Sequence, residues 1–185
     1  EPTLSLYAQP MSLLKRLFGS QEPDPKLQLV PLYNRVVAHA RDPHWYIDGG
    51  VPDTMDGRFD MVAAMMTLTI LRLEKEPDHA ADMALLTELF VDDMDGQLRQ
   101  VGIGEMVVGK HVGKMMSALG GRLAAFRPAF AGEADLDAAI LRNIYRSTEA
   151  PSAAALAHVR SAFVGVKTAL DADSAADIAA GQGKW

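Results

Sequence analysis

The chain has 185 residues, 49% apolar and 23% charged, a balance that builds one globular core with or without tails and excludes wholesale disorder. Its formal net charge of −6 argues against general nucleic-acid binding, which requires neutralisation of phosphates. It has no cysteine, which excludes disulfides, thiol catalysis and Cys-ligated zinc and fits a cytoplasmic setting.

Ten methionines and several alanine-rich stretches favour helix over strand. Met11-Ser12-Leu13-Leu14-Lys15-Arg16-Leu17-Phe18-Gly19 reads as a native start, so residues 1–10 read as an addition ahead of it or as an alternative upstream start. Leu13, Leu14, Leu17 and Phe18 with Lys15 and Arg16 make a short amphipathic turn, suited to weak membrane-surface contact or to packing on the domain. Its apolar stretch is too short for a secretory signal. Residues 1–24 are therefore expected to form an N-terminal tail, 25–172 a helical domain and 173–185 a loose C-terminal tail.

Asp24-Pro25 is an N-cap followed by proline at the first helical position. Leu27, Val30, Tyr33, Val36, Val37 and Ala40 form the apolar stripe of a helix over 26–41, which Arg41-Asp42-Pro43 stops. Residues 42–53 hold proline and glycine punctuation and read as a loop. Asp53 or Thr54 opens a helix running to about Glu74. Its stretch from Met61 to Leu71 carries no charge, and a helix apolar all round belongs in the centre of a bundle. It is too short to cross a bilayer, which takes about 20 residues.

Pro77 opens a third helix bearing Met83, Leu86, Leu89, Phe90 and Met94, with a break expected from Gly96 to Gly104. A helix over 104–126 places Val108, Val112, Met115, Leu119, Leu123 and Phe126 on one face, and Pro128 is expected to end it. Two further helices are predicted over 135–146 and 152–171. The result is an all-α, single-domain bundle of about six helices.

Most chemical motifs fail on inspection. Gly104 to His111 approaches a phosphate-binding loop, but His111 stands where a magnesium-binding hydroxyl is needed and the surroundings read helical. Asp92-Asp93-Met94-Asp95-Gly96 suggests calcium, yet with Gly96 at the sixth loop position the first and twelfth ligands would be Val91 and Gly102. Neither can serve, so the segment reads as an acidic helix end in need of nearby bases, and Arg99 to Arg127 is the candidate source. Asp53, Asp56 and Asp60, with Arg58 to pair them, admit helix capping, partner binding or acid–base work. The five histidines, His39, His44, His79, His111 and His158, lack helical metal-ligand spacing, and no serine elbow occurs. No catalytic residue, metal site or cofactor is expected.

The helix over 104–126 carries more information. Lys110, His111, Lys114 and Arg122 share one arc, and with Arg99 they form either a solvated face or a docking surface. Gly109, Gly113 and Gly120 align beside that arc. Each mid-helix glycine costs about 1 kcal/mol against alanine, so the row points to close packing by another backbone. That backbone is a helix of the same domain or a bound client segment. Trp45-Tyr46 is a candidate interface anchor or a ring pair tucked over the bundle end.

Three stretches together resemble the ubiquinol–cytochrome c chaperone family. The first is Tyr33 to Arg41 with Pro43 and Trp45-Tyr46, and the second is Val51-Pro52-Asp53-Thr54-Met55-Asp56-Gly57-Arg58-Phe59-Asp60. The third is Phe90 to Asp95, Leu98-Arg99, Val101 to Gly104, Val108-Gly109-Lys110 and Gly121-Arg122-Leu123. The chain departs from the family in having no histidine in Met61 to Met66 and in placing Phe126 where a tyrosine is expected.

The resemblance implies an assembly chaperone for ubiquinol–cytochrome c reductase that binds newly made cytochrome b. It implies a small partner protein, the ribosome and peripheral membrane contact as further partners, with a location in the cytoplasm or at the inner face of the cytoplasmic membrane. Lys110, Lys114, Arg122, Arg99, Trp45, Tyr46, Asp56 and Arg58 are the candidate partner-binding residues. The competing readings are an enzyme whose site converges from distant residues and a homo-oligomeric helical module. An apolar groove beside a basic rim distinguishes the chaperone from a cleft of convergent buried polar groups.

Overall fold

The computed structural model describes residues 24–100, 105–146 and 150–185, except for the side chains of 98–100 and 105–108. Among the described residues every regular element is helical, as the sequence predicts.

Asp24 caps a 3-10 turn, Pro25–Leu29, by accepting from the Lys26 amide at 2.9 Å. α1 (Val30–Ala40) follows, then a single turn, α2 (His44–Ile47). α3 (Met55–Leu73) is capped by Thr54, whose side chain accepts from the Gly57 amide at 3.1 Å. The cap is thus Thr54, which leaves Asp53 free to pair with Arg58 at 2.5 Å. A 3-10 turn, Pro77–His79, leads into α4 (Ala80–Gln100), and α5 spans Glu105–Phe130. α6 (Leu136–Asn143), α7 (Ala153–Ala172) and α8 (Ala175–Ala179) complete the chain, capped by Asp135, Ser152 and Ser174.

α3 is the axis of the bundle. Every residue from Asp60 to Leu73 is buried, and α1, α5 and α7 all pack against it. Thr67 and Thr69 bury their hydroxyls by donating to carbonyls one turn back, Ala63 at 2.7 Å and Met65 at 2.9 Å. Arg72 emerges at the far end and donates to Leu170 and Asp173 carbonyls at 3.1 and 2.9 Å. It satisfies the C-terminal carbonyls of α7, which has no basic residue in its own last turn.

Four expectations are corrected. α4 runs through Gly96 to Gln100, because Leu86, Phe90 and Met94 bury one face and outweigh about 1 kcal/mol for a glycine. Pro128 lies inside α5, where its missing N–H concerns only the carbonyl of Ala124, an exposed residue. The stop is Gly132 at φ 77°, whose amide donates to Ala129 at 3.2 Å while the Glu133 amide donates to Pro128 at 2.9 Å. Residues 42–53, expected as a loop, hold the single helical turn α2, closed by the Ile47 and Asp48 amides on the Pro43 and His44 carbonyls at 3.0 and 3.1 Å. Within the described residues the acidic end of α4 meets Lys26, 2.7 Å from Asp92, and the Tyr33 hydroxyl, 2.8 Å from Asp93. From α5, Arg127 instead pairs with Glu74 at 2.8 Å.

The fourth correction concerns residues 173–185, which are docked and not a loose tail. Trp185 is 4% exposed, its ring stacks on His39 at 4.8 Å, and its carbonyl accepts from Arg35 and faces His39 Nε2 at 2.9 Å. The amphipathic turn over Leu13–Phe18 and the expected break over 101–104 lie outside the described residues.

Candidate functional site

The site is built around a charged residue in the apolar core. Asp60 sits one residue before the uncharged stretch of α3 and is 1% exposed. Both its oxygens accept from guanidinium groups. Arg146 approaches with Nε at 2.5 Å from one and Nη2 at 2.7 Å from the other, and Arg122 of α5 donates from Nη2. A carboxylate buried this deeply holds only with such partners.

Burial pushes the Asp60 carboxyl above its ordinary value, while the Arg146 hydrogen bonds and the Arg122 charge pull it back. Burial likewise lowers Arg122, and the hydrogen bond to Asp60 raises Arg146.

Arg122 is 4% exposed and further donates to the Ala118 and Asn143 carbonyls at 3.1 and 2.8 Å. Its guanidinium lies 5.8 Å from the Phe59 ring centroid. Arg146 adopts φ 51°, a left-handed conformation costing about 1 kcal/mol or more in a residue with a side chain. The bonds to Asp60 hold it there and bring it within 3.5 Å of Asp56.

This cluster forms one wall of a cleft of about 920 Å³ between the start of α3, the end of α4, the middle of α5 and the end of α6. Val62, Met94 and Met115 supply buried apolar surface, with Phe59 partly buried beside them. Arg41, Arg58, Lys114, Arg142 and Arg146 stand around it. The cleft thus combines an apolar floor and a basic rim with convergent buried polar groups, Asp60 and Arg122, on one wall.

The fold gathers only some of the predicted residues. Lys114, Arg122, Asp56 and Arg58 all line the cleft; Lys110 is exposed on α5 outside it. Arg122 is corrected from an exposed docking residue to a buried ion-pair partner, since it turns toward Asp60. Trp45 is likewise not a surface anchor. It is 1% exposed, donates from Nε1 to the His39 carbonyl at 2.7 Å and meets Phe163 edge-on at 5.5 Å. Tyr46 is half-buried and donates to the Ala40 carbonyl at 2.9 Å. The side chain of Arg99 lies outside the described residues.

The glycine row is corrected too. Gly109, Gly113 and Gly120 face solvent, and a Cβ on any of them would meet nothing within 4 Å among the described residues. Among the described residues no helix packs there. Close approaches occur elsewhere, tightest at Gly57, where a Cβ would stand 1.9 Å from the Pro52 carbonyl oxygen. Residues 105–111 and Asp92 to Gly96 are helical, so neither is a phosphate or calcium loop. Among the described residues no three His, Asp or Glu side chains are grouped to hold a metal. Arg41, Arg142 and Arg146 were not foreseen, because nothing local marks an arginine as facing a distant helix. Asp60 was legible only as one of the three carboxylates Asp53, Asp56 and Asp60, with no sign that it alone is buried.

Among the described residues no helix is long and apolar enough to cross a membrane. Comparison with curated proteins finds no match. Over 95% of both chains the protein is similar to a solved structure described as the Cbp3 homolog from Brucella abortus, with a TM-score of 0.73 and 27% identity. The family model described as ubiquinol-cytochrome C chaperone matches residues 48–185, which include α3 to α8 and most of the cleft. The chain therefore belongs to the ubiquinol–cytochrome c chaperone family.

Proposed function

We propose that this chaperone holds newly made cytochrome b before it joins the reductase, and that the methionine- and arginine-lined cleft receives the client. The observation that carries this reading is the pairing of an apolar floor, including Met94 and Met115, with a rim of arginines and Lys114. Methionine adapts its shape to irregular apolar partners, as a holding surface requires. The rim fixes orientation and speeds encounter. The exposed face bearing Lys110, Lys114 and the glycine row serves as a second docking surface, for a small partner protein or the ribosome. The chaperone works in the cytoplasm or at the inner face of the cytoplasmic membrane, in peripheral contact with it.

Affinity capture from the native membrane fraction tests this, with the full chain as bait. Cytochrome b is expected to co-purify and to be lost on exchange of Met94 and Met115 for glutamate in a variant that still folds. Recovery of mature reductase subunits without newly made cytochrome b would refute it.

A further inference from the structure

The charges on the cleft do not cancel, and the imbalance says something about what enters. The lining carries six permanent cations, Arg41, Arg58, Lys114, Arg122, Arg142 and Arg146, against two carboxylates, Asp53 and Asp56, with Asp60 buried behind them. Arg58 is matched to Asp53, and Arg122 and Arg146 share Asp60. Arg41, Lys114 and Arg142 have no ion-pair partner among the described residues.

A second observation is independent of that count. Arg122, 4% exposed and lining the cleft, keeps its Nε buried with no hydrogen-bond partner among the described residues. A buried N–H of a guanidinium is costly to leave unmatched, which marks this wall of the cleft as short of acceptors.

Resting on the reading of the cleft as the client site, we propose that it selects an acidic amphipathic segment. A carboxylate of the occupant pairs with Arg142 and Lys114, while apolar side chains on the same face settle on Met94, Met115 and Val62. The chemistry recognised is a peptide carboxylate flanked by apolar residues. In an acidic protein of net charge −6, such a segment would be repelled everywhere except at a local basic site, so the cleft also sets where it docks. Methionine shapes to the apolar part without dictating its sequence, which leaves the carboxylate as the selective element.

The test uses the full chain and three fluorescent helical peptides with the same leucine face. One carries two glutamates a turn apart, one has them replaced by glutamine, and one by lysine. The glutamate peptide is expected to bind about tenfold or more tighter than the glutamine peptide, with an advantage that shrinks as salt rises. Lys114→Glu with Arg142→Glu should abolish that preference while leaving the melting temperature and helix content unchanged. Both side chains lie outside the Asp60 cluster, so folding is not at stake. Equal affinity for the glutamate and glutamine peptides overturns the proposal. So does binding confined to vesicles of anionic phosphatidylglycerol, or a preference for glutamate that survives the double variant. Capture of cytochrome b without any glutamate preference would defeat this inference alone. A glutamate preference without cytochrome b capture would defeat the assignment of the client and leave the carboxylate site standing.

Discussion

Arg122 and Asp60 are separated by 62 positions in the chain, yet they form an ion pair that is 4% and 1% exposed and ties α5 to α3. Arg146 closes the cluster from the loop after α6. Removing one partner of such a pair leaves an uncompensated charge in the core, at about 3–5 kcal/mol. Arg122→Ala is therefore expected to lower stability by that amount in urea denaturation, and Arg146→Ala, from a side chain 43% exposed, by less. The double variant Asp60→Leu with Arg122→Met should recover most of the loss, since no buried charge remains. A loss below about 1 kcal/mol for Arg122→Ala would show that water reaches the cluster freely.

The glycines give a paired test. Gly57→Ala places a Cβ against the Pro52 carbonyl at the first turn of α3, a contact the backbone must move to relieve. It is expected to destabilise the fold by about 1–3 kcal/mol. Gly113→Ala meets nothing within 4 Å and should stabilise α5 by about 0.5–1 kcal/mol. Thermal melts of the two variants should shift in opposite directions, and a shared downward shift would mean that the Gly113 face is occupied after all.

His39 offers a pH dependence. Burial against Trp185 holds its imidazole below the ordinary value, the Arg35 charge adds to this, and the Trp185 carbonyl opposes it. The unfolded chain, near pH 6.5, then takes up the proton before the folded one. The contribution is fully present above the unfolded value and is lost as pH falls through the lower folded value. The urea midpoint of the native protein should therefore drop between about pH 7.5 and about pH 5.5 by more than that of His39→Gln. Equal drops would place the proton uptake elsewhere.

Lys110 and Lys114 are exposed, and no ion pair within the described residues engages them. Lys110→Glu with Lys114→Glu should leave the melting temperature nearly unchanged, because exposed charges contribute little, about 0–1 kcal/mol. The same variant should weaken capture of cytochrome b, the partner protein or the ribosome and remove the salt dependence of what remains. Normal capture at both low and high salt would reduce this face to ordinary solvated surface.

The sequence by itself determined the long helices and the element at the centre, but not the short α2 and α8. Helix-forming pattern is local: Met61 to Leu71 cannot be solvated on any side, and Thr54, Asp135 and Ser152 stand at the predicted helix starts, within a turn of where they act. Local pattern also misled, at Gly96 and Pro128, where burial of neighbouring side chains overrode a weak breaker. What only the tertiary structure decided was which charges are buried and which glycine is crowded. Arg122 lies on the same helix as Lys110 and Lys114, and only the position of Asp60 on another helix turns it inward. Gly57 needs its hydrogen because Pro52 folds back over it, and Trp185 is core because Arg35 and His39 wait 150 and 146 positions earlier. Ion pairs and backbone contacts act over a few ångströms in space, so segments remote in sequence decide them, and periodicity carries no record of that distance.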